Sequence, residues 1–230
     1  MPARPAAPAG TRLYAIGDIH GRADLLRRLY DAIADDAATV ARRRRVLIHL
    51  GDYVDRGPDS RGVLDLVTAA PPAGFDTVCL RGNHEQMMLD YLDGRSDGDL
   101  WRRNGGEATE ASYGVLTNDR DALLRALPPA HLVFLRGLGL TARFGDYLFV
   151  HAGIRPGVPL DRQDADDLLW IRRPFLDSDA DHGAVVVHGH SVRPAPVFAG
   201  NRIGLDTGAY ASGVLTALVL DGESRALLQT

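Results

Sequence analysis

Short apolar runs alternate with helical spacing along the first part of the chain. The apolar runs are predicted strands that end in polar residues and span residues 12–18, 45–52 and 75–83. Between the first two, Leu26, Leu29 and Ile33 recur within residues 22–37 at the spacing of an amphipathic helix. Further helical runs follow the second and third strands. The alternation predicts a βαβαβ unit with parallel strands.

The second part of the chain changes to a mostly β pattern. Residues 94–127 are polar and helical in character, and a short helix is predicted over residues 165–173. The strands predicted here span residues 131–138, 140–145, 146–153, 184–191, 196–208, 213–222 and 224–230. Since no fixed-period repeat or linker divides the chain, we predict one α/β domain over residues 12–230 with two mixed β-sheets and helices outside. Residues 1–11, rich in Pro and Ala, are predicted to be a disordered tail.

Composition and charge narrow the classes of function. The 230 residues are 45% hydrophobic and 24% charged, as in an ordinary globular protein, and the net charge of −4 gives no basic field for nucleic acid or anionic lipid. No apolar run approaches the length that spans a membrane. Cys79 is the only cysteine, so an internal disulfide is excluded. We therefore expect a cytoplasmic protein without nucleic-acid or membrane partners; the oligomeric state is left open.

Three of the predicted strands end in residues that suit metal binding. Asp18, Asp52 and Asn83 follow one another at about the length of a βαβ unit. The carboxyl ends of parallel strands meet at one edge of a sheet, where α/β folds place ligands. We therefore expect these three side chains to lie close together.

Other polar side chains at or just after strand ends enlarge this set. They are His20, Asp55, Arg56, His84, His151 and His190. Carboxylate, imidazole and amide ligands together suit Mn, Fe or Zn better than Ca or Mg, and the lack of a usable thiolate argues against a structural zinc site. Six ligands drawn from this set of nine residues are too many for one ordinary ion and right for two ions that share a bridging carboxylate. The sequence predicts two divalent metal ions, with Mn²⁺ favoured and Fe or Zn as alternatives.

The ordered motifs resemble those of a known family. "GDIHG", "GDYVDRG" and "GNHE", followed by "FVHAG", "LLWIRR", "VHGHS" and "LDTGA", are similar to the phosphoprotein phosphatase family of metallophosphoesterases, in particular its bacterial and phage branch. The resemblance runs from about residue 12 to the C-terminus. It implies the metallophosphoesterase fold, a four-layer α/β/β/α sandwich with two mixed β-sheets.

The resemblance also implies a role for each matching residue. The implied metal ligands are Asp18 and His20 for the first ion, Asp52 as the bridge, and Asn83, His151 and His190 for the second ion. His84 resembles the general acid of the family, held by a hydrogen bond to Asp55. Arg56 and Arg172 resemble the arginines that bind the phosphate, although Arg172 after an apolar helix could instead be a solvated surface residue.

The activity implied by the resemblance is that of a two-metal phosphomonoesterase. A metal-bridging hydroxide would attack the phosphorus directly, without a phospho-enzyme, and the partner would be a protein or peptide that carries phosphoserine or phosphothreonine. A symmetrical dinucleoside tetraphosphate hydrolase is the main alternative, but that branch commonly has "GNHD" and lacks the acid before the arginine, where this chain has Glu85 and Asp55. A permissive phosphatase acting on phosphotyrosine or small phosphoesters is also considered. A catalytically silent binding module is disfavoured by the complete set of ligands, acid and arginines.

Several other residues are given structural roles. We expect His49 to be packed in the core, His188 to support His190 or the core, and Trp101 to pack over the site. His131 is expected at the surface. The basic run at residues 41–45 is predicted to be a solvated helix end or turn.

Overall fold

Two five-stranded sheets stack face to face in the computed structural model, which describes residues 4–40, 43–69 and 71–230. The strands in chain order are β1 Thr11–Ile16, β2 Arg44–His49, β3 Asp76–Cys79, β4 Thr141–Phe144, β5 Tyr147–Val150, β6 Val185–His188, β7 Val197–Phe198, β8 Arg202–Gly204, β9 Thr216–Asp221 and β10 Ser224–Gln229. The helices are α1 Ala23–Ala38, α2 Ser60–Ala69, α3 Asn83–Leu92, α4 Asp99–Trp101, α5 Glu107–Ser112, α6 Arg120–Ala126, α7 Pro129–Gly137, α8 Ala165–Trp170 and α9 Ala209–Ser212. A π-helical turn, Arg102–Gly106, joins α4 to α5, and a 3₁₀ turn spans Leu160–Arg162.

Both sheets are mixed. The first has the order β10-β9-β1-β2-β3, in which β1, β2 and β3 are parallel and β9 runs antiparallel to β1. The second has the order β4-β5-β6-β8-β7, in which β5, β6 and β8 are parallel and the edge strands β4 and β7 are antiparallel. The parallel strands of each sheet end at a common edge. For β1, β2 and β3 this confirms the predicted βαβαβ unit.

The alternation of side chains along the strands produces the layers. In β1, Tyr14 and Ile16 pack against the helices, whereas Leu13 and Ala15 pack against the second sheet. A third apolar cluster, which contains Phe175, lies between the second sheet and α8. The predicted four-layer α/β/β/α sandwich is confirmed.

One predicted strand is wrong. Residues 131–137 of this run form most of helix α7, which has Pro129 at its first position, where the missing N–H costs nothing. Leu135 and His131 are buried one turn apart, so the apolar run has helical rather than alternating burial. The run has few β-branched residues, which would have been the signal for a strand.

The N-terminal residues differ from the expected tail where they are described. Ala7 is buried, its N–H donates to the Gly222 carbonyl, and the Tyr147 hydroxyl donates to the Pro5 carbonyl. Residues 1–3 lie outside the described residues, as do residues 41 and 42 of the basic run. The predicted helix end or turn is wrong for Arg44 and Arg45, which form the start of β2. Among the described residues no helix is long and apolar enough to cross a membrane.

Candidate metal centre and active site

Loops at the ends of the parallel strands carry the predicted ligands. Backbone φ angles are positive at His20 (46°), Asp52 (52°), Asp55 (73°), Arg56 (66°) and His190 (61°), although none of these is glycine. Such angles are costly and persist where surrounding contacts enforce them, commonly at functional sites. The strand-to-loop transitions therefore aim these side chains into one region.

Glu85 fixes the loop that follows β2. Its buried carboxylate accepts hydrogen bonds from the backbone N–H groups of Asp52 (2.9 Å), Tyr53 (2.8 Å), Val54 (3.2 Å) and Gly82 (2.8 Å). Burial, together with the charge of Asp52, raises the pKa of Glu85 to about 7. One side chain at the start of α3 thus holds the backbone that presents Asp52.

Asp52 lies between two groups of possible metal ligands. His20, Asp52 and His84 form one group, and Asp52, His151 and His190 form the other, with ligand atoms within 4.8 Å of one another in each group. Asp52 Oδ2 lies 3.4 Å from His20 Nε2, and Oδ1 lies 3.5 Å from His151 Nε2. Because a different oxygen faces each group, the carboxylate has the geometry of a bridge between two ions.

The Nε2 lone pairs of His20 and His151 point into the two groups. His20 Nδ1 donates to the Val54 carbonyl (2.8 Å) and His151 Nδ1 donates to the Leu50 carbonyl (2.9 Å), so each ring presents the lone pair of Nε2 to the site. Burial lowers the pKa of His151 and lowers that of His20 to about 3, which keeps both rings neutral. This donor set fits divalent cations such as Mn²⁺, Fe²⁺ or Zn²⁺.

Asn83 and His190 complete the second group. Asn83 Oδ1 lies 2.9 Å from His151 Nε2 and 3.0 Å from His190 Nδ1. His190 Nε2 is buried without a hydrogen-bond partner in the described structure, a position that a cation would satisfy. Burial and the neighbouring His151 lower the pKa of His190 to about 3.

A third buried carboxylate near the first group escaped the sequence analysis. Asp206 lies beside Asp18, and burial, Asp206 and Asp52 together raise the pKa of Asp18 well above its usual value. Asp18 also accepts a hydrogen bond from the His190 backbone N–H (2.9 Å). The position of Asp206 soon after β8, in "GLDTG", was a usable signal. Three neighbouring carboxylates need cations to stay ionised together.

His84 differs from the predicted ligands in its contacts. Its Nδ1 lies 2.6 Å from Asp55 Oδ2, and its Nε2 lies 4.0 Å from Asp52 Oδ2. Burial works to lower the pKa of His84, but the charges of Asp52 and Asp55 raise it above its usual value. A protonated ring with Nε2 facing the site is the arrangement that the predicted general acid requires. His84 is also close enough to be counted with the possible ligands of the first group.

The two predicted phosphate-binding arginines are placed differently. A terminal nitrogen of Arg56 lies 2.8 Å from His20 Nε2, and its guanidinium lies 5.0 Å from the Tyr210 ring centre. Because His20 Nε2 has a single lone pair, a metal ion bound there would require Arg56 to turn away from that nitrogen. Arg172 is exposed and approaches the His190 carbonyl (3.5 Å), at the side of the second group.

The remaining predicted residues have mixed outcomes. His49 is buried, with its Nε2 2.8 Å from the Tyr30 hydroxyl, and His188 is buried beside Phe175, so both core assignments are confirmed. The surface assignment of His131 is wrong. That side chain is only 2% exposed because Tyr113 and Asp65 bind its two ring nitrogens.

Comparison with known proteins gives a consistent family. The sequence pattern of calcineurin-like phosphoesterases matches residues 11–213. Serine/threonine-protein phosphatase 1 of Salmonella typhimurium is 30% identical over 216 residues, which cover 89% of each chain. A symmetrical bis(5′-nucleosyl)-tetraphosphatase of Methylococcus capsulatus is 35% identical over 144 residues, which cover 63% of this chain and 44% of that protein. The crystal structure of a cold-active protein-tyrosine phosphatase from a Shewanella species has the same fold, with a TM-score of 0.60 at 20% identity over 97% of this chain and 83% of that one.

Proposed function

The chain belongs to the calcineurin-like phosphoesterase family, and we propose that it is a two-metal phosphomonoesterase that acts on phosphoserine and phosphothreonine in proteins. The observation that carries the proposal is the His84–Asp55 pair beside the two ligand groups that share Asp52. A metal-binding module alone would not need a buried acid–imidazole pair aimed at its ligands.

The family uses a binuclear divalent metal centre, and the residues here fit one. We propose Asp18, His20 and Asp52 as ligands of one ion and Asn83, His151 and His190, again with Asp52, as ligands of the other, and Mn²⁺ as the metal. When bound, two such ions neutralise the phosphate and lower the pKa of water toward neutrality.

The other residues would act on the phosphate and the leaving group. Arg56 and Arg172 would bind phosphate oxygens, since guanidinium keeps its charge and binds in a bidentate manner. His84 would donate the proton on Nε2 to the leaving oxygen, while Asp55 holds Nδ1. An alkoxide leaving group is strongly basic, so the proton is most valuable for esters of serine and threonine.

The preference for phosphoprotein rests on sequence features. Glu85 and Asp55 are both present, and a relative that is 30% identical over 89% of this chain carries the name of a serine/threonine phosphatase. We further propose that the partner is a phosphorylated protein or peptide in the cytoplasm rather than nucleic acid or membrane.

A second candidate is hydrolysis of dinucleoside tetraphosphates. It is favoured by two aromatic rings, each 39% exposed, that border the ligand groups: Trp170 beside His190 and Tyr210 beside His20. A nucleobase could stack on either ring. The symmetrical tetraphosphatase relative supports the same candidate.

One comparison of substrates tests the two candidates. With manganese, kcat/KM should be highest for phosphoserine and phosphothreonine peptides and lower for phosphotyrosine peptides and diadenosine tetraphosphate. A dominant kcat/KM for the dinucleotide, with two nucleoside diphosphates as products, would establish the second candidate instead. A protein that binds manganese yet hydrolyses none of the phosphoesters would overturn both.

A further inference from the structure

The helical segment of residues 94–127 reaches the His84–Asp55 pair through two side chains. The Trp101 indole N–H lies 3.0 Å from Asp55 Oδ1 and 2.9 Å from Oδ2. The Thr109 hydroxyl donates to Oδ1 at 2.6 Å. Both residues lie far from Asp55 along the sequence, so the contact exists only in the folded chain.

These contacts decide how the Asp55 carboxylate is oriented. Oδ2 accepts from His84 at 2.6 Å, whereas Oδ1 is bound only by Trp101 and Thr109 among the described residues. Asp55 is fully buried, and Thr109 together with Ser60 also binds its backbone N–H. Without the indole and the hydroxyl, His84 would be the sole partner of a buried carboxylate that is free to rotate and poorly solvated.

The backbone of the segment is shaped to make this approach. The π-helical turn Arg102–Gly106 follows Trp101, and such turns are frequent at functional sites. Gly105 has a φ of 109°, and its carbonyl accepts from the Arg56 backbone N–H (3.1 Å). A Cβ at Gly105 would lie 2.7 Å from that nitrogen, and one at Gly106 would lie 2.5 Å from the Trp101 ring. Because Gly105 and Gly106 have no Cβ, the π-helical turn can pack closely against the loop that carries Asp55.

We infer that Trp101 and Thr109 are positioning residues for the general acid, and that the helical segment is thereby part of the proton-donating apparatus. They hold the Asp55 carboxylate so that it fixes the His84 ring with Nε2 toward the leaving oxygen. The inference rests on the proposed function, in which His84 gives a proton to the leaving group. Trp101 packs as expected, but it also has this specific partner.

The test compares two small esters, so it does not depend on the physiological substrate. Full-length Trp101→Phe and Thr109→Val variants, loaded with manganese, are assayed on phenyl phosphate and on 2,4-dinitrophenyl phosphate, whose leaving group needs little protonation. We expect kcat for phenyl phosphate to fall by about 10–100-fold, as for other supporting contacts, and kcat for the dinitrophenyl ester to fall much less. Thr109→Ser, which keeps the hydroxyl, should retain the wild-type ratio of the two rates.

Tyr113→Phe is the matched control. It removes a buried hydrogen bond from the same segment, 2.7 Å to His131 Nδ1, without touching Asp55. It should lower the melting temperature and leave the ratio of the two rates unchanged.

A double-variant cycle separates positioning from general damage. In a His84→Asn background, Trp101→Phe or Thr109→Val should cause no further loss on phenyl phosphate, because the group they position is gone. Equal losses on both esters, or a full additional loss in the His84→Asn background, would overturn the inference. If Trp101→Phe does not fold, the Thr109→Val and Thr109→Ser pair decides. If phosphoserine peptides are not hydrolysed but the ester ratios behave as expected, the proposed substrate fails and the inference stands.

Discussion

The two sheets contribute to the site in different ways. Loops of the first sheet bring most of the positive-φ residues described above, and Glu85 fixes the backbone of Asp52, Tyr53 and Val54 in the loop after β2. The second sheet contributes His151, directly after β5, and His190, soon after β6. Both residues are held by atoms that follow strands of the first sheet: the His151 side chain by the Leu50 carbonyl, and the His190 backbone N–H by Asp18.

We call the loops that follow β1, β2 and β3 the frame, and His151 together with His190 the docked part. The frame holds Asp52 in place with its own contacts, whereas His151 and His190 depend on contacts with the frame for their orientation. Substitutions of Asp52, or of Glu85 that fixes its backbone, should therefore affect both ligand groups, and substitutions of His151 or His190 should affect one.

Asp52→Asn should have the largest effect, because Asp52 belongs to both groups of possible metal ligands. Removing its charge should cost at least one ion and nearly all activity while the fold survives. Metal content by mass spectrometry, activity and circular dichroism measure the three outcomes. Asp76→Asn, at an exposed surface ion pair with Arg44, is the control. Two ions at full occupancy in an active variant would refute the bridging role.

His84→Asn should leave the metal affinity nearly unchanged and lower kcat. For alkyl esters such as phosphoserine the loss should be about 10²–10⁴-fold, and for nitrophenyl esters it should be smaller. Steady-state rates for both esters and a manganese titration provide the measurement, with His182→Asn as the control. Loss of an ion would make His84 a ligand, and equal loss on both esters would remove its role as an acid.

Asn83→Ala should mainly weaken metal binding. Asn83 Oδ1 contacts both second-half histidines, so its removal should loosen the docked part. Since disturbing partners of ligands already costs about 10–100-fold in metal affinity, we expect at least that loss for Mn²⁺, with partial recovery of rate at high manganese. The exposed Asn118→Ala variant should titrate like the wild type. An Asn83→Ala enzyme that stays slow at saturating manganese would contradict the assignment.

Glu85→Gln should have the smallest effect on chemistry and a clear effect on stability. An amide has one acceptor oxygen where the carboxylate has two, so some buried N–H groups in the loop would lose their partner. Each such loss costs about 1–3 kcal/mol, which urea denaturation would detect. Glu107→Gln, at a side chain that is 71% exposed, is the control. Unchanged stability would show that the frame does not depend on Glu85.

The sequence could predict where strands end but not which side chains meet across long stretches of chain. The proximity of Asp18, Asp52 and Asn83 could be predicted because strand periodicity and βαβ spacing are local signals in the sequence. The contact of Trp101 with Asp55 depends on a π-helical turn, which the hydrophobic pattern of the sequence does not predict. The burial of His131 follows from helix α7, whose short apolar run has the length of a strand although it has few β-branched residues. Asp206 was readable as a strand-end residue, but its effect on Asp18 required the three-dimensional distance between them.

The pairing of β1 with β9 has a consequence for how the molecule is made. This ladder joins residues from opposite ends of the chain, pairing Ile16 with Ala217, and β1 is a central strand of its sheet. Contacts of such large sequence separation form slowly, and during synthesis the N-terminal part emerges first. A nascent chain can therefore build β1, β2 and β3 early but must keep one edge of β1 unpaired until β9 leaves the ribosome. His190 emerges shortly before β9, so the last of the proposed ligands and the strand that completes the pairing of β1 become available at nearly the same time, and phosphoester hydrolysis should begin only after β9 has emerged.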